Sequence, residues 1–151
     1  QGVRRHRMSD VLDLKVCVPT RDFEESKAFY SEPGFRCNWE TEQLAELQIG
    51  DFRCLLQDFF NEQHMSNFML QLMVSDADKW RQRICDSKGV DTYDRAKATE
   101  PEIQPWGQRV LYLWDSSGVL WHIADPIEQD VLHEVEANHF MGSDETPSDK
   151  L

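Results

Sequence analysis

The sequence predicts an α+β fold made of two βαβββ modules, each a strand, a helix and three further strands. Three observations predict it. Short runs rich in β-branched and aromatic residues are separated by Gly, Pro, Asp and Ser, which is the punctuation of strands and turns. Two segments carry apolar residues at helical spacing behind an aspartate that can act as an N-cap. The order strand, capped helix, strands then occurs twice, the mark of a duplicated unit with a cavity between or within its copies.

The first module covers about residues 11–58. Val11 to Val18 alternates and is β-branched, so it reads as a strand. Asp22 is placed as a helix N-cap and Glu25 completes a capping box. That helix carries Phe23, Phe29 and Tyr30 and ends before Pro33-Gly34. Phe35 to Glu42, Leu44 to Ile49 and Phe52 to Gln57 read as strands, with Gly50-Asp51 as a tight hairpin turn. Residues 57–67 are the link.

The second module covers about residues 67–125. Phe68 to Val74 is its first strand, and Asp76 or Asp78 caps a helix with Trp80 and Ile84 one turn apart. Gly89 is placed as the helix stop. Thr92 to Ala98 reads as a weak edge strand. Arg109 to Trp114 and Val119 to Ile123 form a closing hairpin, in which Trp114 and Trp121 are expected to pack. Together the modules make one domain over residues 11–125. Residues 1–10 read as an N-terminal arm or an added remnant. Residues 126–151 read as an acidic tail opening on a short helix with Val131, Leu132 and Val135.

The 151 residues suit one domain with a real core. With 28 acidic and 16 basic residues the net charge is −12, which argues against a nucleic-acid partner and permits a cationic ligand. Eight acids and one base fall between Asp125 and Leu151, so much of the acidity is a solvated tail. No apolar run reaches the ~18 residues of a membrane span. The basic stretch Gln1 to Arg7 lacks the apolar region of a signal peptide. Cys17, Cys37, Cys54 and Cys85 form no Cys-x-x-Cys pair and sit in apolar segments, as expected of buried free thiols in a reducing cytoplasm. No Gly-rich phosphate loop or Gly-x-Ser-x-Gly nucleophile motif is present. Glu24-Glu25 and Glu100 with Glu102 suit solvated positions better than an acid–base pair.

The most telling stretch is Gln104-Pro105-Trp106-Gly107 before the closing hairpin. A tryptophan in a turn, between Pro and Gly, is a rigid surface for a flat organic molecule. Strand alternation puts Met69, Gln71 and Met73 on one face, and His122 on a face with Leu120 and Ala124. Methionine suits an adaptable apolar cavity.

Taken in order, Val18-Pro19-Thr20-Arg21-Asp22-Phe23 running into Ala28-Phe29-Tyr30, then Gly34-Phe35, Ile49-Gly50-Asp51, Gln104-Pro105-Trp106-Gly107 and Asp115-Ser116-Ser117-Gly118, resemble the vicinal-oxygen-chelate superfamily. That superfamily includes glyoxalase I, extradiol dioxygenases and the fosfomycin- and bleomycin-resistance proteins. The likeness is greatest to the bleomycin-resistance group and covers about residues 11–125. Ser116-Ser117 and Val119 depart from the family's usual turn.

The resemblance implies a glyoxalase/bleomycin-resistance-type fold and carries two expectations about chemistry. Enzymes of the superfamily hold a divalent ion with His and Glu ligands, and the corresponding positions are Asp13, Leu55, Met69 and His122. Two of these cannot serve a hard cation, and two ligands are too few. No metal, no cofactor and no catalytic residue are therefore expected, and His122 is read as lining a cavity. The second expectation is a homodimer with clefts at its interface, sequestering a small aromatic or cationic molecule. The resemblance places Trp106 at such a cleft and puts Asn38, Trp39 and Leu44 at family positions; Glu46 and Arg109 are expected nearby by strand order, and His122 as part of a cavity lining. Asn38 stands where the family has an acid, which points away from a strongly cationic ligand, and Leu44 where it has an aromatic, which narrows the stacking surface. The rival reading is a metal-dependent glyoxalase-like lyase or dioxygenase with an atypical ligand set.

Overall fold

A computed structural model describes residues 10–126. Most of the expected N-terminal arm, and the expected tail helix, lie outside that range. The first module runs β1 (Cys17–Pro19), α1 (Phe23–Ser31), β2 (Arg36–Glu40), β3 (Leu44–Ile49) and β4 (Phe52–Gln57). A short helix, α2 (Glu62–Met65), occupies the link, where the sequence reading had only a connection. Asn61 caps it by accepting from the Gln63 N–H. The second module runs β5 (Met69–Met73), α3 (Ala77–Asp86), α4 (Gly89–Thr92), β6 (Lys97–Ala98), β7 (Glu102–Ile103), β8 (Gln108–Trp114) and β9 (Leu120–Pro126).

Both sheets have the same topology. The first is ordered β1-β4-β3-β2; the second is ordered β5-β9-β8-β6, with β7 also on β8. In each, the first strand lies parallel to the last and the remaining pairs are antiparallel. This is the duplicated α+β architecture that the element order predicts.

Local chemistry accounts for most boundaries. Asp22 caps α1 by accepting from the Glu25 N–H, and Asp76 caps α3 by accepting from the N–H groups of Asp78 and Lys79. Gly34 and Gly50 have φ of 123° and 56°, which only glycine adopts freely.

Three expectations need correction. The first strand spans three residues, not eight, because it is an edge strand with β4 as its one neighbour. Upstream of it Val11, Leu12 and Leu14 stand largely exposed. The α3 stop is Lys88, at φ 61°, not Gly89. Gly89 is required for another reason: a Cβ there would stand 2.8 Å from a ring carbon of Phe29 on the other module. Of the four free thiols only Cys54 is buried; Cys17, Cys37 and Cys85 are exposed. Burial pushes the Cys54 thiol up to about 11.

The helices cover one face of each sheet. Phe23, Phe29 and Tyr30 of α1 join Val18, Ala45, Leu47 and Leu56 of the first sheet and Leu111, Trp121 and Ile123 of the second in one core. At its centre the Tyr30 hydroxyl donates to Asp115 Oδ2, while Trp121 Nε1 donates to the Tyr30 oxygen at 2.8 Å. Asp115 Oδ1 also accepts from the Ser117 and Val119 N–H groups at 2.9 and 2.8 Å. The departing turn residues Ser116 and Ser117 both meet Ser26 Oγ, and Ser117 Oγ accepts from the Arg21 N–H. The turn is thus the polar half of the module interface.

Asp115 is fully buried, and that burial raises its carboxyl from 3.8 to about 6 against the hydrogen bonds that oppose the rise. A group whose folded pKa is raised adds stability that is present below about 4 and lost as pH climbs through about 6. Asp115→Asn removes this titration. We expect the stability difference between variant and native protein to move in favour of the variant by about 3 kcal/mol at most from pH 4 to pH 7. Chemical denaturation across that range measures it, and a flat difference contradicts the assignment.

Candidate functional site

Among the described residues α1 and α3 lie on one side, and the opposite face of each sheet carries neither of them. Strand alternation decides which side chains reach it. On the first sheet these are Leu44, Glu46 and Gln48 of β3, with Trp39 directly across from Glu46. Asn38, in the β-bulge beside Trp39, reaches the same side and donates to Glu46 Oε2 at 3.0 Å and Gln48 Oε1 at 2.9 Å. So Trp39, Asn38, Leu44 and Glu46 share one face, with Trp39 43% exposed.

Glu46 is not a free charge. Lys15 Nζ stands 2.5 Å from Glu46 Oε1, and Asp13 and Arg53 lie beside that pair. The hydrogen bonds from Lys15 and then Asn38 hold the Glu46 carboxyl below its ordinary value, and the same contact raises Lys15. Its charge is compensated within the chain.

On the second sheet the open face carries Met69, Gln71 and Met73 of β5, His122 and Leu120 of β9, and Gln108, Tyr112 and Trp114 of β8. Met69 and Met73 are about half exposed, at 54% and 50%, and Trp106 is 60% exposed. Trp106 Nε1 donates to Gln108 Oε1 at 3.2 Å, which Gln71 also reaches at 3.1 Å. Gln108 Nε2 in turn points at Met73 Sδ, 3.4 Å away. One amide therefore links Trp106, Gln71 and Met73. Gly107, at φ 90°, closes the turn that presents it. Further along, the His122 and Tyr112 rings meet edge to face at 4.9 Å, and Tyr112 and Trp114 are tilted at 6.2 Å.

The expected residues thus form two groups on separate sheets, Trp39 with Asn38, Leu44 and Glu46, and Trp106 with His122. The hydrogen bonds above stay within each sheet. Arg109 joins neither. It lies on the helix-covered face of β8, donating to Asp125 Oδ2 at 2.7 Å and Asp78 Oδ2 at 2.6 Å. Asp125 also accepts from the Ala77 N–H at 2.6 Å. Burial works against the Asp125 carboxylate, but Arg109 and Ala77 more than offset it and hold it below the aspartate range. Gln108, Tyr112 and Trp114 belong to the open face and were not singled out for it. Two-residue alternation with Met69 and His122 was the signal that could have found them.

A divalent ion does not fit these faces. Leu55 and Met69 occupy two of the four positions where superfamily enzymes hold their ligands, and Asp13 faces Lys15 and Arg53. Among the described residues no group of three or more His, Cys, Asp or Glu side chains is placed to hold a metal.

The architecture is that of the glyoxalase, bleomycin-resistance and dioxygenase fold. A bleomycin-binding protein complexed with bleomycin superposes with a TM-score of 0.65 at 24% identity, over 78% of this chain and all of that one. Lactoylglutathione lyase from Agrobacterium tumefaciens gives 0.58 at 16% identity, over 79% and 96%. No protein-family model matches the chain. A bleomycin resistance protein from Klebsiella pneumoniae is 34% identical over 112 residues, 68% of this chain and 83% of that protein. The chain belongs to the bleomycin-resistance protein family.

Arg109 is an anchor for the buried Asp125 carboxylate. Arg109→Leu leaves Asp125 buried without its cation, and should lower the unfolding free energy by about 2–3 kcal/mol. Urea denaturation measures it; unchanged stability would return Arg109 to the candidates for ligand contact.

Proposed function

We propose that the chain is a binding protein that sequesters a small aromatic compound without transforming it, through residues 11–125 and with no metal or cofactor. The observation that carries this reading is Trp106, 60% exposed yet oriented by its hydrogen bond to Gln108, on a face with two half-exposed methionines. Exposed aromatic and thioether surface held in place by amides binds flat molecules, with stacking contributing about 0.5–1.5 kcal/mol beyond area burial. Family membership supports the reading, because a relative of this fold is a bleomycin-binding protein seen with bleomycin.

A second copy would bring the two tryptophan faces together. Trp39 and Trp106 lie on open faces of different sheets, and a second chain can lay its Trp39 face against the Trp106 face of the first. The exposed Val11, Leu12, Leu14 and Phe52 are apolar surface that such pairing would cover. A positive ligand charge is not called for by Glu46, which Lys15 already neutralises. A cytoplasmic location suits four free thiols, and no helix among the described residues is long and apolar enough to cross a membrane.

Sedimentation at micromolar concentration should show a dimer, and a monomer would remove the shared cleft. A screen of aromatic compounds by tryptophan fluorescence should find ligands that quench emission. Trp106→Ala should weaken those ligands by about tenfold. Unchanged affinity in the variant counts against this face, and one bound metal ion per chain by elemental analysis would favour the metal-dependent rival.

A further inference from the structure

The open faces do not share the charge of the chain. Although the protein carries −12 overall, its first-sheet face sets Lys15, Arg36 and Arg53 against Asp13 and Glu46. On the second sheet one cation stands at the end of the aromatic row. Lys97 pairs with Trp114 across the β6–β8 ladder, so both side chains project to the open side. Its Nζ lies 4.3 Å from the centre of the Trp114 ring. No carboxylate pairs with Lys97 among the described residues. Glu102, the acid on the same sheet edge, is opposite Val110. That is four residues further along β8, roughly 13 Å away at strand spacing.

We propose that the sequestered compound is an aromatic anion, its ring lying along Tyr112 and Trp114 and its carboxylate or sulfonate on the Lys97 ammonium. The proposal rests on the binding reading above and adds the sign of the ligand's charge. A ring laid on the row from His122 through Tyr112 to Trp114 brings its substituent to Lys97, the last group of that row. An ammonium held over an indole keeps its three donors, and an acidic oxygen there gains a charge-assisted hydrogen bond at an exposed position, where salt screens it. A cation at the same end meets Lys97 and is repelled.

Two probes with the same rings test this on the full chain: 8-anilinonaphthalene-1-sulfonate, an anion, and N-phenyl-1-naphthylamine, which is neutral. The native protein should bind the sulfonate at least about fivefold more tightly at low ionic strength, and about 0.5 M NaCl should shrink that preference. Lys97→Gln should abolish the preference and Lys97→Glu should invert it, both leaving the neutral probe within about twofold and the melting temperature unchanged. A preference that survives in Lys97→Gln overturns the proposal, and also shows any sulfonate held elsewhere on the protein. Equal affinities in the native protein overturn the charge assignment while leaving the binding reading intact. Failure of both probes to bind the native protein overturns both.

Discussion

The contact between Tyr30, Asp115 and Trp121 is the constraint from which the rest of the arrangement follows. Tyr30 stands on the helix of the first module; Asp115 and Trp121 stand on the closing hairpin of the second. A buried carboxylate is costly unless its oxygens are satisfied, and here a phenol and two backbone N–H groups satisfy them. The same carboxylate closes the turn that ends at Gly118, so the shape of the hairpin and the docking of the modules are set together. Phe29 against Gly89 adds a steric condition: the second module can approach only because that residue has no Cβ. With both helices drawn into this interface, one side of each sheet is occupied and the other is left open among the described residues.

That division explains why a duplicated module is suited to binding. Strand alternation sends Val18, Leu56, Leu111 and Ile123 into the core and sends Leu55, Tyr112 and His122 the opposite way. The stability of the domain resides in the first set. Substitutions in the second set come at little expense to folding, since those side chains are not part of the shared core. Leu55 and Met69 belong to this second set, both projecting away from the shared core on strands whose pairing is regular.

Most of the fold was legible because its signals are local. Asp22 and Asp76 announce helices through hydrogen bonds to residues two or three positions away, and Gly50 announces a hairpin through one backbone angle. The failures are non-local. The length of β1 depends on whether anything covers Leu12 and Leu14, which periodicity within the strand cannot report. Gly89 reads as a helix stop, and its actual role depends on Phe29, sixty positions away by numbering. Arg109 was grouped with the ligand residues by proximity along the strand order, yet odd and even positions of one strand face opposite ways. Asp115 looked like a turn residue and is a tertiary anchor as well. Of the candidate site, Trp39, Asn38, Leu44 and Glu46 do share a face, as do Trp106 and His122; whether these groups contact a ligand is the proposal made above.

The charge of the open faces bears on how such a scaffold changes ligand. The net charge of −12 attracts cations at long range, and at physiological ionic strength that attraction fades within about 8 Å. Discrimination at the face therefore depends on near neighbours. Around Glu46 the neighbours are Lys15 and Asn38, which consume its charge and its lone pairs; around Trp114 the neighbour is Lys97. An acid at the Asn38 position would leave two carboxylates against Lys15 and would make the same face a cation site. The asparagine instead donates to Glu46 and Gln48, turning what would be repulsion into a hydrogen-bonded row across β2 and β3. One side-chain amide, presented by the bulge between Cys37 and Trp39, thus sets both the electrostatics and the rigidity of the face.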